Sequence, residues 1–352
     1  MTFSTTLLGK TYTCAALTLL LSATQTQLFA KEVANKDSLQ VQYNVDLTYI
    51  SLSGLSSGGY MATQFELAYS DWVSGVGIIA AGPYYCAQNS IQTALSQCVN
   101  QLKSPISLDV LSDKAIQWQE AGKLPSLSNL QQHKVWLLSG ALDTKVLPQI
   151  NQALYTQYQQ WVKPENLTYV TDKPFAHLFP TLNSGTECDV SEAPFIGNCA
   201  YDAAGAMLTF IQGDLTPRNK TQSGRLIEID QHKLGGKPAE TLAKNGYLYV
   251  PQSCQQGESC TVHVSFHGCN QNASAVGDKY ATQTGLNNWA DTNNMLVLYP
   301  QTKSSMMMPL NPQGCWDWWG YTGEDYANQN GPQIKAVKHI IQALAKREIH
   351  HD

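Results

Sequence analysis

Hydrophobic and polar positions follow two different patterns in the two halves of the chain. Residues 45–53 (VDLTYISLS) form an apolar, β-branched-rich run that fits a strand, and 60–69 carries helix-compatible spacing. The unbroken apolar run at 73–82 fits a strand buried on both faces. Residues 84–102 read as a loop closed by Cys86 and Cys98. From 105 to 133 the pattern is polar and mostly helical, with Ile116 and Trp118 available to face a core. Another short buried strand is expected at 134–140, a helix at 146–161, a strand at 166–170, and a sheet-packing helix at 201–211. Alternating β and α of this kind predicts a parallel, doubly wound sheet.

Beyond the polar stretch 213–219, which contains Pro217, the texture changes. Residues 225–231 and 247–250 alternate apolar and polar, as antiparallel strands do. Residues 260–266 form a central-strand candidate that stops at His267-Gly268-Cys269. A helical stretch at 280–293 leads to a buried-type strand at 295–299, an aromatic-rich loop at 301–325 and an amphipathic helix at 332–347. There are no internal repeats and no long low-complexity linker, so a single catalytic domain over 31–352 is expected, with halves of about 31–213 and 220–352. Residues 1–30 have the form of a signal peptide. Lys10 precedes the apolar run 13–23, too short to span a bilayer, and the small residue Ala30 offers a cleavage point.

Composition narrows the partners. Of the 352 residues only 14 % are charged, the net charge is −5, and no Lys/Arg cluster occurs, which argues against nucleic acid. No stretch after the leader reaches the length of a membrane span. Cys14 lies in the leader and eight cysteines remain, an even set that reads as disulfides in an exported protein. Cys86–Cys98, Cys188–Cys199 and Cys254–Cys260 are close couples, leaving Cys269–Cys315 by elimination. There is no C-x-x-C and no zinc-spaced Cys/His cluster, so no metal or other cofactor is expected. Asn166, Asn219 and Asn272 head glycosylation sequons, meaningful in a eukaryotic source. The expected location is extracellular, with the periplasm as the bacterial alternative, and the expected state is a monomer.

The chemistry centres on Gly54-Leu-Ser56-Ser-Gly58, a G-x-S-x-G placed between strand and helix as a nucleophile elbow requires. Glycines let the backbone turn tightly around Ser56. A serine hydroxyl is a weak nucleophile and needs a base, an orienting carboxylate and an oxyanion hole. In the strand–turn–helix hydrolases these follow in the order Ser, Asp or Glu, His. Asp143 fits the acid because it follows the buried strand at 134–140; its competing role is a helix N-cap, and Asp172 is the rival acid. His177 fits the base by order and by its place in a loop after a strand. The oxyanion hole calls for the N–H of Ser57 and one from a second strand end, here Cys269. Cys269, tied to Cys315, would hold that loop rigid; the alternative is a free thiol.

One feature departs from the usual α/β-hydrolase order. The antiparallel strands and the second oxyanion strand come after the histidine instead of before the serine. If the helix at 332–347 fed into the strand at 45–53, the order would be the ordinary one. The fold expected is therefore an α/β hydrolase with a mostly parallel doubly wound sheet, circularly permuted so that the nucleophile strand lies near the N-terminus.

Several motifs carry a family resemblance. Gly54-Leu-Ser-Ser-Gly-Gly-Tyr-Met, Ala176-His-Leu-Phe-Pro-Thr and Asn198-Cys-Ala-Tyr-Asp-Ala-Ala-Gly205 resemble the extracellular single-domain polyhydroxybutyrate depolymerases of fungal type. His267-Gly-Cys-Asn-Gln, Leu298-Tyr-Pro-Gln301 and Gly314-Cys-Trp-Asp-Trp-Trp319 are similar to the same group and to related esterases. The resemblance spans nearly all of the chain after the leader. It implies a permuted α/β-hydrolase fold and hydrolysis of 3-hydroxybutyrate esters by a Ser-His-Asp triad, with the roles falling on Ser56, Asp143 and His177 and the amide donors on Ser57 and Cys269. A polyester or oligoester substrate must be held by apolar surface, for which Trp318 and Trp319 are the candidates, while core filling is the competing role for those rings. Two rival functions remain: a secreted esterase acting on feruloyl or acetyl groups of plant or polysaccharide esters, and an inactive hydrolase fold used for binding.

Overall fold

The computed structural model describes residues 43–345, which belong to one compact unit. The expected leader, 1–30, lies outside the described residues, as do 31–42 and the end of the chain from 346. Among the described residues no helix is long and apolar enough to cross a membrane.

Eight strands form the main sheet: β1 (Val45–Leu55), β2 (Val73–Ile79), β3 (Lys134–Leu138) and β4 (Leu167–Val170) from the first half, with β8 (Arg225–Asp230), β9 (Asn245–Val250), β10 (Cys260–Phe266) and β11 (Met295–Tyr299) from the second. The remaining strands, β5 (Phe179–Thr181), β6 (Thr186–Glu187) and β7 (Ile196–Asn198), make a small separate sheet. The order across the main sheet is β4-β3-β2-β1-β10-β11-β9-β8. Pairing is parallel from β4 through to β11, and antiparallel at β11/β9 and β9/β8. The chain thus leaves the sheet centre outward along β1 to β4, jumps to the far edge, and returns to lay β10 beside β1.

Each central strand sends alternate residues to the two faces, as a pleat of period two requires. Val135 and Leu137 of β3 join one core, Trp136 and Leu138 the other. The first face is covered by α1 (Ser57–Ala68), α3 (Leu108–Glu120), α4 (Pro148–Tyr158) and α6 (Pro332–Leu344), with α2 (Ile91–Gln97) inside the Cys86–Cys98 loop. The second face is covered by α5 (Ala203–Gln212) and short helices between 279 and 290. Trp118 on α3 is buried as expected, but Ile116 is 43 % exposed, because the face of α3 that meets the core carries Leu111, Ala115 and Trp118.

The end of α6 meets the start of β1. Tyr43 N–H donates to Leu344 O at 3.0 Å, and Tyr43 bridges Ala345 in parallel. That contact is where an unpermuted chain would run on, so the sheet order and this junction together describe an α/β-hydrolase sheet cut ahead of its central strand.

The register of β1 against β10 is fixed by a buried polar ladder. His263 lies opposite Ser51, and Ser265 opposite Ser53. The His263 ring bonds Ser51 Oγ and Ser53 Oγ, each at 2.8 Å, and Ser53 continues to Ser265 at 3.0 Å. A one-residue slip would break every one of these bonds. The ladder therefore sets how far β1 and β10 each project at their carboxyl ends, where the candidate site lies.

Candidate active site

Ser56 sits between the last residue of β1 and the first of α1, with φ 57° and ψ −124°. A non-glycine residue with positive φ is strained, and such strain persists only where neighbours enforce it. Here Ser56 N–H donates to Ile79 O at 2.9 Å, while Ser56 O accepts Tyr60 N–H at 3.0 Å and opens the helix. Gly58 is needed for close approach, since a Cβ there would collide with the backbone carbonyls of Phe266 and His267. The first turn of α1 is thereby pressed against the carboxyl end of β10.

That contact brings the 267–271 loop beside the serine. A Cβ on Gly268 would stand 3.3 Å from Ser56 Cβ, so the glycine leaves room beside the serine. Among the described residues neither the Ser57 nor the Cys269 N–H has a protein acceptor. The loop is held by its neighbours: His267 Nδ1–H donates to Gly268 O at 2.7 Å, and Gly268 N–H donates to Gln271 Oε1 at 2.6 Å. Gln271 Nε2 donates in turn to Pro194 O at 2.7 Å, joining this loop to the segment after the histidine. Asn270 N–H donates to Gln313 O at 2.7 Å beside the Cys269–Cys315 disulfide. Burial holds the pKa of His267 down at about 4, so its ring is neutral and its Nε2 accepts the N–H of Thr302 at 3.2 Å.

Asp143 and His177 are brought together by their loops. Ala141 N–H donates to Lys173 O at 2.8 Å and Leu142 N–H to Phe175 O at 3.0 Å. Gly140 permits this, because a Cβ would strike the Phe175 carbonyl. Both side chains are buried, and His177 Nδ1 lies 2.8 Å from Asp143 Oδ2. A carboxylate only accepts, so Nδ1 carries the proton and Nε2 keeps its lone pair. Asp143 is not the helix N-cap that its competing role required, since α4 begins only at Pro148 behind Leu147. Its Oδ1 does hold the turn after it, accepting the N–H groups of Lys145 at 2.8 Å and Val146 at 2.9 Å. Asp172 is at the surface, paired with Lys173 at 3.0 Å, and does not reach the histidine. The other described histidines are engaged elsewhere: His133 with Glu66, His263 within the sheet ladder, His232 and His339 on backbone carbonyls.

Ser56 and His177 line one cleft of about 880 Å³, together with Ser57, Cys269 and the candidate aromatics Trp318 and Trp319. Ser56 Oγ makes no hydrogen bond to the ring in this structure; catalytic bonds of this type commonly tighten only with substrate present. Trp318 is 7 % exposed and stacks on Tyr60 with ring centroids 4.9 Å apart, Trp319 is half-buried against it, and Trp316 is wholly core. Trp316 thus fills the core, while Trp318 and Trp319 both reach the cleft wall, Trp318 with little of its surface exposed.

Sequence patterning did not single out the other apolar residues of the cleft. Ile91, Leu95, Met308 and Leu310 line it while 49 %, 55 %, 90 % and 53 % exposed. They sit on a short stapled helix and a loop, where no periodicity marks them. All four disulfides are present: Cys86–Cys98, Cys188–Cys199, Cys254–Cys260 and Cys269–Cys315. Among the described residues no group of three or more His, Cys, Asp or Glu is placed to hold a metal ion.

No family model matches the chain. It is 39 % identical over 308 residues to a poly(3-hydroxybutyrate) depolymerase of Delftia acidovorans, a match covering 86 % of this chain and 60 % of that protein. It is 39 % identical over 309 residues to a polyhydroxybutyrate depolymerase of Talaromyces funiculosus, covering 84 % of this chain and 89 % of the relative. The crystal structure of the PHB depolymerase from Penicillium funiculosum superposes with a TM-score of 0.80 at 38 % identity, covering 87 % of this chain and 97 % of that one. A structure of a PHB depolymerase complexed with an R3HB trimer also superposes with a TM-score of 0.80, at 37 % identity and with 86 % and 99 % coverage. Shared sequence over most of the chain and a shared fold lead to one conclusion: the chain belongs to the polyhydroxybutyrate depolymerase family.

Proposed function

We propose that the protein is a secreted serine esterase that hydrolyses poly(3-hydroxybutyrate) or its oligomers. The observation that carries this reading is the buried His177–Asp143 pair opening, with the strained Ser56, into a largely apolar cleft, in a chain of this family. The R3HB trimer held by a structural relative supports an oligoester as the ligand.

In the proposed reaction His177 Nε2 takes the proton of Ser56 as Oγ attacks the ester carbonyl. The negative charge that develops on the carbonyl oxygen is met by the N–H groups of Ser57 and Cys269, which cost no reorganisation because α1 and the disulfide-bound loop already hold them. Asp143 stabilises the imidazolium. His177 then returns the proton to the alcohol oxygen as the C–O bond breaks, leaving an acyl-Ser56. Water, deprotonated by His177, attacks that acyl group and releases the 3-hydroxyacid or shorter oligomer.

Polymer would be gripped by the exposed side chains of Ile91, Leu95, Met308 and Leu310 around the cleft, with Trp318 and Trp319 within it. Secretion is supported by the four disulfides, which persist in oxidising compartments.

The test is release of 3-hydroxybutyrate from amorphous polymer, measured beside release of ferulate and acetate from plant esters. Polymer turnover that is lost in Ser56→Ala supports the reading. Turnover of the plant esters alone would reassign the substrate, and Ser56→Ala activity near wild type would remove the mechanism.

A further inference from the structure

The cleft is uncharged save at one position. Among its lining residues there is no carboxylate, and beside the histidine the one ionisable cation is Lys145. Lys145 is exposed and makes no ion pair among the described residues. Its backbone is fixed, however. Lys145 N–H donates to Asp143 Oδ1 at 2.8 Å while His177 Nδ1–H donates to Oδ2 of the same carboxylate at 2.8 Å. The lysine and the proposed general acid therefore leave from two sides of one buried group. The segment is braced further by Leu147 N–H donating to Val99 O at 3.0 Å, which ties it to the other apolar lining residues around Leu95.

The chemistry of a 3-hydroxyacid chain gives that position a meaning. Such a chain has a hydroxyl end and a carboxylate end. When serine attacks an internal carbonyl, the acyl fragment keeps the hydroxyl end, and the fragment that departs as the alcohol keeps the carboxylate end. His177 protonates the departing oxygen, so the departing fragment lies on the histidine's side of the site, where Lys145 stands.

We propose that Lys145 is a specificity-determining residue that binds the free carboxylate of the departing fragment, favouring cleavage close to the acid end of an oligoester. The inference rests on the oligoester reading given above. A neutral terminus would gain nothing from the lysine, and a cut deep inside a long chain would place the carboxylate out of its reach. An exposed ion pair of this kind changes rates only modestly, by about two- to fivefold, and salt screens it.

The experiment compares kcat/KM for the linear 3-hydroxybutyrate trimer as the free acid and as its methyl ester, at neutral pH and low salt. The readout is the acid-to-ester ratio within each enzyme, which is independent of how much of a variant folds. The ratio is expected to be about two- to fivefold higher in wild type than in Lys145→Met, to be kept in Lys145→Arg, and to drop in wild type at about 0.5 M salt. A ratio equal in wild type and Lys145→Met overturns the inference while leaving the oligoester reading intact. Failure of the wild-type enzyme to cleave either trimer removes both.

Discussion

His177 Nδ1 and Asp143 Oδ2 lie 2.8 Å apart, both side chains buried. The geometry asks the carboxylate to accept on both oxygens, since Oδ1 already takes the Lys145 and Val146 N–H groups. Asparagine can keep only one of these faces. If its oxygen stays on the backbone amides, its NH2 points at His177 and forces the proton onto Nε2, the nitrogen that acts as base in the proposed reaction. Asp143→Asn is therefore expected to lower kcat by roughly 10³ to 10⁴, the scale of the same change in serine-protease triads. KM for a short p-nitrophenyl ester should move little. Steady-state kinetics checks both, and a loss carried by KM alone would point to a structural carboxylate.

The disulfide Cys269–Cys315 joins residues 46 apart and holds the proposed oxyanion loop to the aromatic loop. Closing a loop of that length is worth about 4 kcal/mol in the chain-entropy account, against about 2 kcal/mol for Cys254–Cys260, 6 apart. Cys260 begins β10 and the oxyanion loop follows its other end, so the short disulfide is remote from the cleft. Cys254→Ser/Cys260→Ser should lower the melting temperature and keep kcat within about twofold, given how local the bond is. Cys269→Ser/Cys315→Ser should lower both, because the Cys269 amide loses its tether. Equal kcat in the two double variants would mean the Cys269 amide does not serve as a donor.

Three buried histidines make opposite contributions to stability against pH. Burial lowers the pKa of His263 to about 3 and of His267 to about 4, both below the ordinary value. Each is neutral in the fold but takes a proton in the unfolded chain below about pH 6.5, so stability is lost as pH falls from there toward pH 4 and 3. The slope is roughly 1.4 kcal/mol per pH unit for each. His133 behaves in the other sense. Burial alone would lower its pKa, but the bond to Glu66 at 2.9 Å, the Glu66 charge and the Ser70 carbonyl at 3.0 Å outweigh it and leave it raised. Its contribution is complete below about pH 6.5 and is lost as pH rises through the raised value. Thermal melts should peak near pH 6 to 7, with the alkaline fall flattened in His133→Gln and the acid fall shallower in His267→Asn. Unchanged slopes in both variants would contradict the assigned charges.

The Ser56 elbow was legible because its signal is local. Gly54, Ser56 and Gly58 lie within five residues, and at both glycines a Cβ would collide with backbone. The positions of β2, β3 and β10 were legible too, since each is a run of strand length rich in apolar and β-branched residues. What was hidden depends on contacts between distant residues. Nothing near Gln271 announces that its side chain will reach Pro194, nor does anything around Gly140 announce Phe175. Helical spacing alone offered Ile116 and Trp118 equally to the core, and only the packing of α3 buries the second. Ile91, Leu95, Met308 and Leu310 sit outside any long periodic element, so their exposure into the cleft had no pattern to betray it.

Asp317 holds the aromatic loop of the cleft in shape without touching the cleft itself. It is fully buried, and its two oxygens accept four bonds: from the N–H groups of Gly320 and Tyr321 at 2.7 and 2.9 Å, and from the N–H and hydroxyl of Thr322 at 2.7 and 2.6 Å. Burial raises its pKa, and those four donors work against the rise. The loop so folded presents Trp318, Trp319 and Tyr321 to the cleft, and Tyr321 OH is fixed in turn by Gln333 Nε2 at 2.8 Å. In Asp317→Asn the oxygen can keep one pair of donors while the NH2 confronts the other, leaving a buried N–H unpaired at a cost of about 1–3 kcal/mol. The loop would relax, and with it the surface offered to a long substrate. KM for the trimer should rise severalfold, about 5-fold for each 1 kcal/mol of lost contact, while kcat for p-nitrophenyl acetate, which needs only the elbow and the oxyanion loop, should stay within about twofold. An equal loss on both substrates would show that Asp317 supports the whole site, since the loop would then be moving Cys269 through Cys315 and not only the aromatic wall.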